Sequence, residues 1–304
     1  MSLADWNHYQ AFLATLETGS LSAAARDLGL TQPTLSRQIA ALEESLGEAL
    51  FVRSQQGLRP TDVALAIAPH VKAMAGEAGA LRRAATGVGD SPAGAVRISA
   101  ATIVGCDILP EILSQLREQY PAIDIELVVT DSVSDILHGE ADIGVRNIRP
   151  TQAALVARKL GIMRSSIYAH RSYLQRCGTP LAEDDLMTGH TLIGFDRETP
   201  LINKVATKFG LKRSDFGLRA DSDIARLALV RAGAGIGFVP DVIAKGDPEL
   251  VSILSGKAFG FEVWLAMHED QRGIARIRTV FDFLAKALLP LCRLGEADSD
   301  LMVL

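Results

Sequence analysis

Residues 19–61 read GSLSAAARDLGLTQPTLSRQIAALEESLGEALFVRSQQGLRPT, and the punctuation of this stretch decides the fold of the N-terminal part. Gly19 ends a preceding helix. Ser20 is placed to cap the next one, because its hydroxyl can accept from the orphan N–H groups of a first turn. Leu21–Leu28 is then a short helix, and Ala23, Ala24 and Ala25 are small enough to let a neighbour approach closely. Gly29 tolerates positive φ at the turn. Thr31 caps a third helix whose first turn holds Pro33, where a missing N–H does little harm. Leu35, Ile39, Leu42 and Leu46 recur at helical spacing as its buried face, and Gly47 stops it. Two helices joined by a tight glycine turn make a helix-turn-helix. Ala49–Arg53 and Leu58–Pro60 form two short strands around Ser54–Gly57, a wing.

Working outward, Trp6, Tyr9, Phe12, Leu13 and Leu16 mark one face of a first helix over about residues 5–18. Downstream, Thr61 caps a long helix reaching about Thr86. Its Ile67, Val71, Met74, Ala78, Leu81 and Ala85 repeat as a heptad-like seam. Pro69 should kink it, and Gly76 and Gly79 weaken it, so it wants a partner and reads as a dimerisation helix. Thr86–Gly94 (TGVGDSPAG) has the composition of a linker.

Past the linker the texture changes. AVRISA is a strand, IVGCDILPEILSQLREQY a helix, IDIELVV a strand, DSVSDILHGE a helix and ADIGVR a strand. This alternation argues for α/β architecture with mostly parallel strands. SSIYAH, TLIGF, GLRAD, GIGFVP and FEVWLAMH continue as strands, and Ile274–Leu289 is a closing helix. Gly233-Ala234-Gly235-Ile236-Gly237 superficially suggests a nucleotide loop. A dinucleotide fingerprint follows a strand and opens a helix, whereas here helical ARLALVRA precedes and IGFVP follows, so the glycines read as a helix stop feeding a strand.

Net charge is −5 over 304 residues, and residues 1–90 themselves net −2, so nucleic-acid binding cannot rest on global charge. It rests on placement. Leu28–Leu42 holds Arg37 and no acid, and Ala49–Thr61 holds Arg53 and Arg59 and no acid. Glu43, Glu44 and Glu48 sit at the far end of the third helix. Gln32, Thr34, Ser36 and Arg37 avoid the buried face and are hydrogen-bonders of the kind that read base edges and phosphates in a major groove. The blander alternative is a small helical bundle with a polar face.

Hydrophobic residues make up 48% and charged residues 22%, an ordinary globular composition that excludes wholesale disorder. No apolar run approaches the roughly 20 residues that span a bilayer. The N-terminus lacks the basic region of a secretory signal, so a cytoplasmic protein with no membrane partner is expected. Cys106, Cys177 and Cys292 form no CxxC pair, which gives neither a disulfide framework nor a zinc site. Cys106 near a helix start invites a redox reading, but a buried, inert thiol is the plainer one. The six histidines show no HExxH or HxH spacing, and no G-x-S-x-G elbow occurs, so no catalytic site, metal or cofactor is expected.

The stretch quoted first, within residues 6–61, resembles the N-terminal domain of LysR-type transcriptional regulators. EILSQLREQYPAIDIELV, ADIGVR and ALVRAGAGIGFVPD resemble that family's effector-binding domain, in the expected order across about residues 92–290. The resemblance implies α/β architecture with an N-terminal winged helix-turn-helix, a linker helix that pairs protomers, and a two-lobed effector domain like periplasmic binding proteins of type 2. The corresponding boundaries are 1–61, 62–91 and 92–304, with lobe I at about 92–161 and 267–304 and lobe II at about 162–266. It implies a sequence-specific regulator that binds double-stranded promoter DNA as a homodimer, with a homotetramer and a contact to RNA polymerase as further assemblies. Ser20, Ser22, Thr31, Gln32, Pro33, Thr34, Ser36 and Arg37 would face the DNA from the helix-turn-helix, and Arg53, Arg59 and Thr61 from the wing. One departure is local: family members often carry Thr-x-Ala-Gly after the wing, where this chain has Thr61-Asp62-Val63-Ala64, preceded by an unusual Pro60.

In α/β sheets ligands sit off the carboxyl ends of strands, and anions favour helix N-termini. A small-molecule effector is therefore expected near Ser99, Ala101 and Thr102, near Thr130, Asp131 and Ser132, and near Arg146 and Asn147. Phe195, Asp196 and Ser222 would face it from the second lobe. Arg146 could pair a carboxylate if the effector is anionic. Each hydroxyl is equally readable as a helix cap, and Arg146 as half of a surface salt bridge. Two other functions stay open on the residues alone: a solute-binding or carrier protein, against which the N-terminal 90 residues weigh, and an enzyme acting in the cleft.

Overall fold

Asp5 starts the first helix: its carboxylate accepts from Asn7 N at 3.0 Å, and the helix, α1 (Trp6–Thr18), ends at Gly19 with φ 64°. Ser20 caps α2 (Leu21–Asp27) and Thr31 caps α3 (Gln32–Leu46), each accepting from the N–H three residues on. Between them Leu30 N donates to Ala25 O and Gly29 N to Arg26 O, with Gly29 at φ 64°, the paired bonds of a Schellman turn. In the computed structural model the described residues are 5–54, 57–85, 92–131, 141–152, 154–197, 200–254, 256–296 and 301–303. They form one unit reaching Arg82 and a second from Arg83 onward.

In the first unit Ala11, Ala24, Ala25, Leu35 and Ile39 pack as one cluster, so the alanines of α2 do serve close helix approach. Leu46 does not share that face; it is exposed one turn beyond Leu42. β1 (Phe51–Ser54) and β2 (Gly57–Pro60) pair antiparallel as the wing. Thr61 then caps α4 (Asp62–Ala85), accepting from Ala64 N at 3.2 Å while donating to Ala49 O at 2.8 Å. The wing exit keeps its cap despite the altered sequence after Thr61. Pro69 lies inside α4 without ending it. The first part of the expected seam is spent within this unit: Val71 is buried and Ile67 half-buried against Phe12, Leu42 and Leu50, beside Ala64 and Ala68. Met74 at 44% and Leu81 at 70% remain exposed.

The second unit is built on one mixed sheet. β3 (Gly94–Ala100), β4 (Ile123–Val129) and β5 (Ile143–Arg146) are parallel, with β3 in the middle. The expected helix over 103–120 is broken into α5 (Thr102–Asp107) and α6 (Leu109–Gln119). Pro110 lacks the N–H that a continuous helix would need and falls instead in the first turn of α6. The helix expected over DSVSDILHGE and most of the linker lie outside the described residues. β6 (Leu155–His170) is far longer than SSIYAH, and α7 (Arg171–Cys177), α8 (Glu183–Met187) and β7 (Leu192–Gly194) follow. Next come α9 (Pro200–Lys208), β8 (Phe216–Arg219), α10 (Asp223–Arg231), β9 (Ile236–Pro240), α11 (Asp241–Lys245) and β10 (Leu250–Ser252).

β11 (Ala258–His268) pairs antiparallel with β6 along its whole length and with β5 along its last residues, giving the order β4-β3-β5-β11-β6-β9-β7-β8. β7 is parallel to both β8 and β9. The expectation of mostly parallel strands thus holds inside each half, while the connecting strands are antiparallel. α12 (Ala275–Glu296) covers the sheet, and β12 (Met302–Val303) pairs parallel with β11 at Phe259 and Gly260. Because β6 occupies one edge of β11, β12 takes the edge that β5 leaves open. A Cβ at Gly260 would strike Ile162 Cγ2 and lie 2.8 Å from Leu301 Cδ2, so the glycine makes room for both side chains. Among the described residues no helix is long and apolar enough to cross a membrane.

Removing residues 297–304 takes away this edge strand and the Leu301 contact. The loss is expected to cost about 1–3 kcal/mol, the scale of burying one large aliphatic side chain. Urea unfolding followed by Trp264 fluorescence measures it.

Candidate functional site

Two surfaces carry chemistry, one in each unit. In the first unit the start of α3 stands open to solvent: Thr31, Gln32, Pro33 and Arg37 are exposed, and Thr34 and Ser36 half-buried. Their groups are mutually arranged. Ser22 Oγ donates to Gln32 Oε1 at 3.0 Å, tying α2 to α3, and the Thr31 and Thr34 hydroxyls lie 2.8 Å apart. Arg37 Nε donates to Pro33 O at 3.4 Å, leaving its terminal nitrogens outward. Arg59 is exposed on β2. Arg53 lies on β1 with its side chain outside the described residues. The Ser20 and Thr61 hydroxyls are engaged as helix caps, so both first hold the scaffold.

Glu43, which the sequence reading set aside as a remote acid, braces this surface. Its Oε1 accepts from Leu50 N at 2.7 Å and from Phe51 N at 3.3 Å, joining the end of α3 to the start of the wing. Two backbone N–H groups that would otherwise lack partners converge on one charged acceptor, a charge-assisted pairing. A helix-to-strand bond seven residues apart leaves no signature in periodicity.

In the second unit a cavity of about 160 Å³ lies where β6, β7, β9 and β11 meet α10. Of the residues expected near an effector, Asn147 and Phe195 line it and the others are placed elsewhere. Ser99 lies inside β3 and is fully buried, accepting from Arg146 Nη2 at 2.5 Å. Arg146 is only 2% exposed, and its Nη1 donates to Ser99 O and Val145 O. Its guanidinium is thus turned into the fold at the end of a fully buried strand, where it donates to carbonyls. Ala101 N donates to Val145 O, and Thr130 N to Ala100 O, both extending the sheet's own pairing. Thr102 donates from N and Oγ1 to the two oxygens of Asp131, so these residues close on each other. Ser132 lies outside the described residues. Asp196 is turned to Arg213 at the surface, and Ser222 caps α10.

The cavity's cation is Arg226, which sequence reasoning missed because it sits mid-pattern on an apolar helix. Its guanidinium lies 3.5 Å from the Phe195 ring centroid and is bonded to Asp223 and to Ala220 O. Burial lowers its pKa to about 10, against the pull of Asp221, so it stays charged at neutral pH. Phe216, Phe238, Phe259 and Phe261 add apolar wall. Glycines make room for it. A Cβ at Gly235 would come 2.3 Å from Thr191 O, and one at Gly194 would strike the Phe216 ring. The glycine-rich stretch thus serves close strand packing, after Gly233 ends α10 at φ 66°. Cys106 is exposed at the end of α5, not buried as expected, and Cys292 is the buried thiol.

The family model for the bacterial regulatory helix-turn-helix protein, lysR family, matches residues 6–65, and that for the LysR substrate binding domain matches residues 89–289. The chain belongs to the LysR-type transcriptional regulators. It is accordingly a DNA-binding transcriptional regulator. It is 33% identical over 191 residues to an HTH-type transcriptional regulator of Xanthomonas campestris pv. campestris, covering 62% of this chain and 55% of that one. It is 28% identical over 293 residues to the probable HTH-type transcriptional regulator LtrA of Klebsiella pneumoniae, covering 91% and 93%. Among solved structures, CrgA of Neisseria meningitidis aligns with TM-score 0.57 at 23% identity, covering 93% of this chain and 98% of that one. Full-length CbnR complexed with its target DNA aligns with TM-score 0.65 at 20% identity, covering 93% and 99%. At such identities these structures speak for the fold.

Glu43→Ala in this regulator is expected to weaken the α3–wing junction by about 1–3 kcal/mol, since two amides lose their acceptor. Hydrogen exchange at Leu50 and Phe51 reads the effect directly. Glu44→Ala, an exposed neighbour, should stay within about 0.5 kcal/mol.

Proposed function

We propose that this regulator binds an inverted-repeat promoter site as a homodimer and that a small molecule in the cavity of the second unit biases its binding. The observation that carries the DNA part is the open, acid-free start of α3, where Gln32, Thr34, Ser36 and Arg37 stand beside one another. In a dimeric helix-turn-helix protein two such edges fall about 34 Å apart, one turn of DNA, or a multiple of it. Arg37 reads a base edge, and Arg53 and Arg59 on the wing hold phosphates.

The exposed Met74 and Leu81 of α4 support a partner helix along its second half, where the seam is not consumed by the protomer's own core. Dimers of this kind can pair further into tetramers and touch RNA polymerase at the promoter. Such a protein works in the cytoplasm, where the DNA is. For the effector, a concave cavity with mostly apolar walls and a few polar groups is the usual form of a small-molecule site. A ligand there acts by preferring one arrangement of the domain, and it shifts DNA affinity only by its difference in affinity between arrangements.

Gel-shift titration with the regulator's own upstream region tests the DNA part. Arg37→Ala is expected to cost about 1–3 kcal/mol and relax the preference at one base pair, whereas Arg59→Ala should weaken all sequences alike and lower the salt dependence by about one ion. Absence of a salt-sensitive shift with every upstream fragment would sink the proposal.

A further inference from the structure

A second cavity, of about 340 Å³, opens between the sheet and the start of α12, and it shares no lining residue with the first. Arg158, Arg272 and Arg278 line it, and among the described residues Asp282 is the acid that joins them. Three separate parts of the chain bring these groups together. Val156 and Arg158 stand two apart on β6 and so share a face, and Met267 of β11 pairs across from Val156 on that face. α12 contributes Arg278, Phe281 and Asp282, where steps of three and four keep them on one side of the helix. Arg272 comes from the turn that precedes α12.

The cations of this cavity are not spent on the protein itself. Arg278 Nε lies 3.8 Å from Asp282 Oδ2, but with 75% and 64% of the two side chains exposed the pair is worth little. Arg158 and Arg272 are exposed and joined to no acid among the described residues. Three guanidiniums against one carboxylate leave two positive charges, and a concavity lined by one sign of charge concentrates counter-ions. The guanidinium fork meets carboxylate or phosphate oxygens two at a time. The rest of the wall, Val156, Met267 and Phe281, is hydrocarbon. A ligand that satisfies both parts carries two negative charges on an apolar body.

We propose that this cavity is a second small-molecule site and that its ligand is an organic dianion, a phosphate monoester or a dicarboxylate, held by Arg158, Arg272 and Arg278 with its hydrocarbon against Phe281. The site stands apart from the effector reading of the phenylalanine-walled cavity, because no residue is common to the two.

Calorimetric titration of the full-length protein at neutral pH and fixed ionic strength tests this, with phenyl phosphate, phthalate, benzoate and inorganic phosphate as probes. Phenyl phosphate or phthalate is expected to bind about tenfold or more tightly than either benzoate or inorganic phosphate, and the better of the two dianions tells phosphate ester from dicarboxylate. Arg158→Gln and Arg272→Gln should each lower that affinity about three- to tenfold, between the worth of an exposed ion pair and that of a sheltered charged hydrogen bond. Both positions are exposed, and thermal unfolding without ligand checks that the variants fold. Arg171→Gln, at an exposed arginine outside the cavity, should change nothing. Benzoate binding as tightly as the dianions overturns the need for a second charge, and inorganic phosphate binding as tightly overturns the role of the apolar wall. Dianion affinity untouched in both cavity variants overturns the site. No binding of any probe also overturns it: weaker gel shifts in both variants would then assign the arginines to DNA phosphates, and unchanged gel shifts would leave them a solvated face.

Discussion

The second unit hangs on one antiparallel pairing. β6 and β11 run side by side from Ala258 opposite Ser166 to His268 opposite Leu155, and each passes through both halves of the sheet. The later residues of β11 add β5 and, through it, the parallel strands β3 and β4. The later residues of β6 add β9, and through it β7 and β8. Near the middle the register shifts between Val263 and Trp264, opposite Gly161 at φ 141°, a backbone geometry that glycine adopts at little cost. Among the described residues, these two long strands join the parallel sets of the two halves into one sheet. The cavity follows from the same pairing, because Ser165, Phe259 and Phe261 project into it from the crossing strands.

The two functional surfaces treat charge in opposite ways. A chain of net charge −5 offers DNA an edge by keeping acids off α3 until Glu43, and that first acid is drawn to backbone amides of the wing. The field that matters is local, since charges more than about 8–10 Å apart across solvent are largely screened. In the cavity the opposite holds: its cation is buried, stacked on a ring and matched by a carboxylate.

The helix-turn-helix was legible because its signals are short-range. Gly19, Ser20, Gly29, Thr31 and Gly47 each act on backbone within a few residues, and the structure places helix ends and caps there. The alternation of strands and helices after the linker was legible for the same reason. The length of β6 was not. Its Leu155–Arg164 portion mixes exposed and buried positions, and β9 joins the strand only from Ser165 on, so no single period describes the whole. Most of the residues expected near an effector stand away from this cavity for a similar reason. Strand-end logic finds Asn147 and Phe195, but cannot tell that Ser99 and Arg146 turn toward each other inside the sheet.

By itself, then, the sequence determined the N-terminal reading head, its acid-free edge and the family to which the chain belongs, because caps, turns and local charge need only neighbours in the chain. The tertiary structure alone decided which half of the α4 seam stays open, that Glu43 clamps the wing, and that Arg226 rather than Arg146 stands at the cavity. Each of these depends on atoms brought together from distant positions, such as Arg226 over Phe195. Spacing along a chain carries no record of which buried cation will stand over which ring.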